Sequence, residues 1–149
     1  MSDHRVRVCL FGLSMLGCGA AETTAGPNNA SLIQTCAPWD GPAVGLFLTT
    51  SPPPSTYPEP PYLSITVYKS VPEVQGKSFT VSSGTTNLGY AQDCPTISGC
   101  VPAEQARISF GFLASDSTVT VSYRLEFPSN RILVGQVRPR LLPAPGLCG

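Results

Sequence analysis

The sequence has one histidine, His4, and it stands ahead of a short apolar stretch rather than in the body of the chain. Without an imidazole in that body, Ser–His–Asp and Cys–His nucleophile arrangements are excluded. Charge is also scarce. Charged residues make up 12%, about half the usual share, and nine basic residues offset nine acidic ones. No electrostatic affinity for nucleic acid follows from that balance. No apolar run reaches the ~18 residues a membrane-spanning helix needs. There is no GxSxG elbow and no phosphate-cradling glycine loop. The carboxylates are scattered, and most fall in turns, where they are solvated or capping. Asp93 and Glu104, either side of the segment Cys94–Cys100, are the one pair that could assemble a glycosidase-like site. These absences point away from catalysis, and neither a cofactor nor a metal is expected.

What is abundant is proline and glycine, 16 and 14 among 149 residues. They separate short runs rich in β-branched and aromatic residues, the composition of a single all-β domain. The most regular run is Ser117–Phe127. There Val119, Val121, Tyr123, Leu125 and Phe127 alternate with polar residues, the period of a strand with one buried face. Ala106–Leu113 points Ile108, Phe110 and Phe112 one way. A four-residue connection then sets Phe112 opposite Val119 and Ile108 opposite Tyr123. After a turn at Ser129-Asn130, pairing Phe127 with Ile132 and Leu125 with Val134 keeps the apolar faces together. Beyond Val134 that phase fails, which predicts a bulge at Gly135. Ala43–Thr49 is mostly apolar and reads as a strand covered on both faces. Leu63–Ser70 and Lys77–Ser83 are further strands, and Leu88–Gln92 a short one. The chain leaves the sheet after Arg138. Six or seven strands make a two-sheet antiparallel β-sandwich, with a small β-barrel as the alternative. Ser51–Pro61 (SPPPSTYPEPP) cannot pair in a sheet and reads as an exposed polyproline-like connection.

The first residues read as a leader. Arg5 and Arg7 supply positive charge, Val8–Leu16 a short apolar core, and Gly17-Cys18-Gly19-Ala20-Ala21 small residues for cleavage. Met15-Leu16-Gly17-Cys18 resembles the lipobox of bacterial lipoproteins. That resemblance implies a lipid on Cys18, cleavage just before it, and membrane anchoring in a cell envelope. Ordinary secretion with cleavage after Ala21 is the alternative. On the lipoprotein reading, residues 1–17 are a signal peptide, 18–31 a flexible tether and 32–149 the β domain.

Cys36, Cys94, Cys100 and Cys148 then remain in the exported domain, and an exported chain favours disulfides over zinc. Four cysteines allow three pairings. Pro95 and Gly99 bend the short segment between Cys94 and Cys100, so these two pair, which leaves Cys36 for Cys148. For function the sequence offers loop surface rather than a pocket. Trp39, Tyr57, Tyr62 and Tyr90 lie at or near turns, and amphipathic rings make efficient contacts. They are the candidate binding surface, although Trp39 at the sheet entrance also suits a lid on the core. The expected role is a non-catalytic envelope lipoprotein contacting an envelope protein or polysaccharide. The alternatives are a small-ligand carrier, should the sheet close into a barrel, and a protease inhibitor presenting Thr96-Ile97-Ser98.

Overall fold

The computed structural model describes residues 22–23, 29–50, 58–85, 87–143 and 148. They form two sheets packed face to face. One has five strands in the order β1 (Glu22–Thr23), β10 (Arg131–Val137), β9 (Val121–Phe127), β8 (Gln105–Phe110), β5 (Ser78–Ser82). The other has six, in the order β11 (Arg140–Leu142), β2 (Asn29–Cys36), β3 (Pro42–Thr49), β4 (Tyr62–Val67), β6 (Gly89–Cys94), β7 (Val101–Pro102). All neighbours are antiparallel except the two outermost pairs, β1 on β10 and β11 on β2. The fold is therefore a β-sandwich, and the sheets do not close into a barrel. Among the described residues no helix is long and apolar enough to cross a membrane.

Alternation decides which side chains meet between the sheets. Val44, Leu46 and Leu48 of β3, with Leu63, Ile65 and Val67 of β4, face Ala106, Ile108 and Phe110 of β8 and Val121, Tyr123, Leu125 and Phe127 of β9, and all are buried in one cluster. A single helical turn, α1 (Val71–Val74), adds Val74 to the end of that core. Its start is held by Glu73, whose carboxylate accepts from the backbone N–H and hydroxyl of Ser70 at 2.8 and 2.6 Å. The other face of β3 is buried too, with Ala43 and Phe47 at 2% and 3% exposure, as its unbroken apolar run predicts.

The predicted pairing of Ile108 with Tyr123 is present. The register beyond β9 differs by one residue from the expected one. Leu125 faces Leu133 and Val121 faces Val137, because the connection uses three residues, Pro128–Asn130, with Ser129 and Asn130 both at positive φ (69° and 59°). In this register the apolar phase never fails and no bulge is required. Gly135 lies directly opposite Tyr123. A Cβ there would sit 2.4 Å from the Tyr123 Oη, so the missing side chain is the space the tyrosine ring occupies.

Three other expectations are corrected. Phe112 is 77% exposed, since β8 ends at Phe110 and the phenylalanine instead lies over Gly76, whose Cβ would approach its ring to 2.7 Å. Two stretches inside the expected tether 18–31 are strands: Glu22 and Thr23 pair with Ile132 and Leu133, and Asn29, Ala30 and Ser31 pair with Thr49, Leu48 and Phe47. The residues read as a leader, Cys18, the other residues read as a tether, and Ser51–Tyr57 lie outside the described residues. Finally, the chain does not leave the sheets after Arg138. Arg140–Leu142 crosses to the six-stranded sheet and pairs with Ser31–Ile33. The crossing is held by backbone bonds from Val119 N–H to Pro139 and from Leu141 N–H to Ser117.

Two substitutions test this packing. Gly135→Ala forces the buried Tyr123 ring to move and should lower unfolding free energy by about 1–3 kcal/mol in urea titrations. Thr66 is 2% exposed, and its hydroxyl has no hydrogen-bond partner among the described residues. Thr66→Val keeps the branched shape and should raise stability by about 1 kcal/mol.

Candidate contact surface

On β4, β6 and the turn between β2 and β3, residues of one parity project to the outer side of the six-stranded sheet. Tyr68, just after β4, is held to Leu88 by a 2.9 Å backbone bond. Tyr90 lies opposite Thr66 on the same side. The β2–β3 turn brings Trp39 over them. Its backbone closes through Ala37 N–H to Gly41 (2.7 Å) and Asp40 N–H to Ala37 (3.0 Å), with Asp40 at φ 62°. The Trp39 ring meets Tyr68 edge-on, centroids 4.8 Å apart, and Tyr68 lies 6.2 Å from Tyr90. Trp39 (56%), Leu88 (41%) and Tyr90 (39%) remain exposed together. Trp39 is therefore no lid on the core. Burial, with the neighbouring Tyr90 phenol as a smaller cause, pushes the Tyr68 hydroxyl pKa up.

Of the four aromatic residues singled out from sequence, the structure brings Trp39 and Tyr90 together. Tyr62 stands at the other end of β4, roughly 20 Å away at 3.3 Å per residue, with its ring 5.8 Å from Phe47. Tyr57 lies outside the described residues. Sequence reasoning missed Tyr68 and Leu88 as members. The outward parity of Tyr68, shared with Ser64 and Thr66, was the available signal. Its meeting with Leu88 depends on strand pairing.

Both expected disulfides are present, Cys36–Cys148 and Cys94–Cys100. The second staples a loop at the end of β6 remote from Tyr90. Gly99 N–H closes on the Thr96 carbonyl at 3.3 Å, and Ile97 at the tip is 88% exposed. Two disulfides are the mark of an oxidising environment, extracellular or periplasmic.

Asp93, Asp116, Glu126 and Glu73 are engaged in structural contacts. Asp93 pairs with Arg131 rather than with Glu104, and the Arg131 guanidinium lies 4.3 Å from the centre of the Phe127 ring. Glu126 accepts from Arg124 Nε at 3.0 Å. Asp116 accepts from the hydroxyl and backbone N–H of Thr118 at 2.6 and 3.0 Å. Those bonds, and secondarily the charge of Arg138, hold its carboxyl below the usual range. Among the described residues no three His, Cys, Asp or Glu side chains group as a metal site would require. The chain matches no family model, no curated protein and no solved structure.

The depressed Asp116 pKa fixes a sign. The stabilisation is complete above the unfolded value near 4 and is lost as pH falls through the lower folded value. Urea midpoints should therefore fall on acidification from pH 6 towards pH 2.5. Asp116→Asn should flatten that fall, leaving the part due to Glu73, whose carboxyl is held down mainly by the Ser70 hydroxyl.

Proposed function

We propose that the chain is a non-catalytic module of the cell envelope, anchored through lipid on Cys18, that binds an envelope component through exposed loops. The observation that carries this reading is the exposed cluster Trp39–Tyr68–Leu88–Tyr90, with Trp39 and Tyr90 at 56% and 39% exposure. Large apolar side chains left in water side by side favour a partner that covers them. Aromatic anchors of this kind dominate contact energies. The Ile97 tip adds a second presented apolar side chain, pre-ordered by its disulfide, so little conformational entropy is lost on contact. Support for a non-enzymatic role comes from the want of imidazole in the body of the chain and from Asp93, Asp116, Glu126 and Glu73, which are held in ion pairs or capping contacts. Membrane anchoring rests on the lipobox resemblance, and two or more acyl chains suffice for stable attachment.

A protease-inhibitor reading of Thr96-Ile97-Ser98 finds less support. The tip is a tight turn closed between Thr96 and Gly99, whereas a peptide added to a sheet edge is extended.

Two experiments test the proposal. Trp39→Ala with Tyr90→Ala should leave the thermal midpoint nearly unchanged, because both side chains are largely outside the core. Co-sedimentation of the protein with purified envelope fragments should fall by at least tenfold in the double variant; unchanged co-sedimentation would remove the aromatic surface from the reading. Separately, Cys18→Ser should shift the protein from membrane to soluble fractions or leave an unprocessed precursor, and equal partitioning of the two forms would exclude the anchor.

A further inference from the structure

An outermost strand of a sheet presents backbone groups with no ladder partner, and a long open edge invites another strand. Among the described residues three of the four sheet edges are blunted. β1 and β7 have two residues each and β11 three, and β7 carries Pro102. The fourth edge, β5, is different. Its five residues (SFTVS) include no proline, glycine or charge, and they pair with β8 in unbroken register. Phe79, Thr80 and Val81 at its centre all favour extended backbone.

Two bonds that flank β5 show which way its backbone groups point. Phe110 N–H donates to the Lys77 carbonyl at 2.9 Å, and Ser83 N–H to the Glu104 carbonyl at 3.2 Å. Odd-numbered residues therefore turn N–H and C=O towards β8, and Ser78, Thr80 and Ser82 turn theirs away from it. The Ser82 carbonyl accepts from Thr85 N–H at 3.0 Å, so a turn closes that end of the edge. Ser78 and Thr80, both exposed, are left with an N–H and a C=O each, and no described strand lies beyond them. Between them Phe79 is half-buried, its ring 6.1 Å from that of Phe110.

We propose that β5 pairs with β5 of a second copy of this chain, antiparallel about a twofold axis at Phe79. This register sets Ser78 opposite the second copy's Thr80 as a hydrogen-bonded pair, and Phe79 opposite Phe79 in the closer, non-bonded position. Every outward N–H and C=O of Ser78 and Thr80 is then used. Centring the pair on Thr80 instead would press Ser78 against the turn that closes Ser82. The strand is its own complement, which is why a second copy is the occupant it fits. Hydroxyl side chains meet hydroxyl side chains, ring meets ring, and Lys77 falls opposite Val81 rather than another charge. Two five-stranded sheets become one continuous sheet. The edge belongs to the sheet that does not carry Trp39 and Tyr90, so the pairing stands whether or not the aromatic cluster is a contact surface.

The contact is small, so pairing should be weak, half complete at about 0.1–1 mM protein. Sedimentation equilibrium of the full-length chain should show a dimer in that range. Raising the concentration should slow hydrogen exchange at the Ser78 and Thr80 amides, while Phe79 and Val81, already bonded to β8, stay as they were. Thr80→Pro removes an N–H that β8 does not use, a change edge strands tolerate. It should weaken pairing at least tenfold and leave the thermal midpoint of the dilute protein nearly unchanged. A monomer at about 1 mM, exchange at Ser78 and Thr80 indifferent to concentration, or pairing lost in Trp39→Ala but kept in Thr80→Pro would each overturn the assignment.

Discussion

The five-stranded sheet depends on a side chain that is not there. Tyr123 is large, 4% exposed and directly opposite Gly135, and its ring takes the volume any Cβ at that position would need. Sliding β10 by one residue would put Val134 or Gln136 on the inward side near Tyr123 and turn Leu133 and Val137 away from the core. The empty position thus holds Leu133 against Leu125 and Val137 against Val121. It also fixes what the outer face presents, because the same alternation sends Val134 and Gln136 outward beside Arg124 and Ser122. Packing inside and chemistry outside are two sides of one register.

The six-stranded sheet is governed from its ends. After β10 the chain passes through Arg138-Pro139 into the opposite sheet, and β11 lies parallel to β2. The segment before β9 grips this crossing through Val119 and Ser117, and the Asp116–Thr118 bonds shape that segment, with Ser117 at φ 63°. One segment therefore bridges both sheets, and Cys148 then joins Cys36 at the end of β2.

Much of the sandwich was legible in the sequence, because burial on one face writes a period of two into it. Val121–Phe127, Leu63–Val67 and the doubly covered Ala43–Thr49 stand out for that reason, and the cysteine pairing follows from loop geometry. What escaped has a common cause. Asn29–Ser31 and Arg140–Leu142 carry no apolar alternation of their own, and become strands because a neighbouring strand offers a ladder to join. The one-residue error after β9 arose at Ser129 and Asn130, where a three-residue turn and a two-residue turn fit the local sequence equally well. The contact surface was half legible. Trp39 and Tyr90 are visible as aromatics near turns, but their meeting through Tyr68 follows from the pairing of β4 with β6. The open edge of β5 is likewise a product of strand order, with no motif to announce it.

The Cys36–Cys148 bond spans 112 positions, and this has a mechanical meaning. A pull applied between β2 and Cys148 is carried through Cys36 and across the sulfur bridge. The strands between residues 37 and 147 lie in parallel with that covalent path and bear no tension. Under such a load β3 to β10 keep their places, and the strand that bears the pull is β2, held on one side by β3 and on the other by β11.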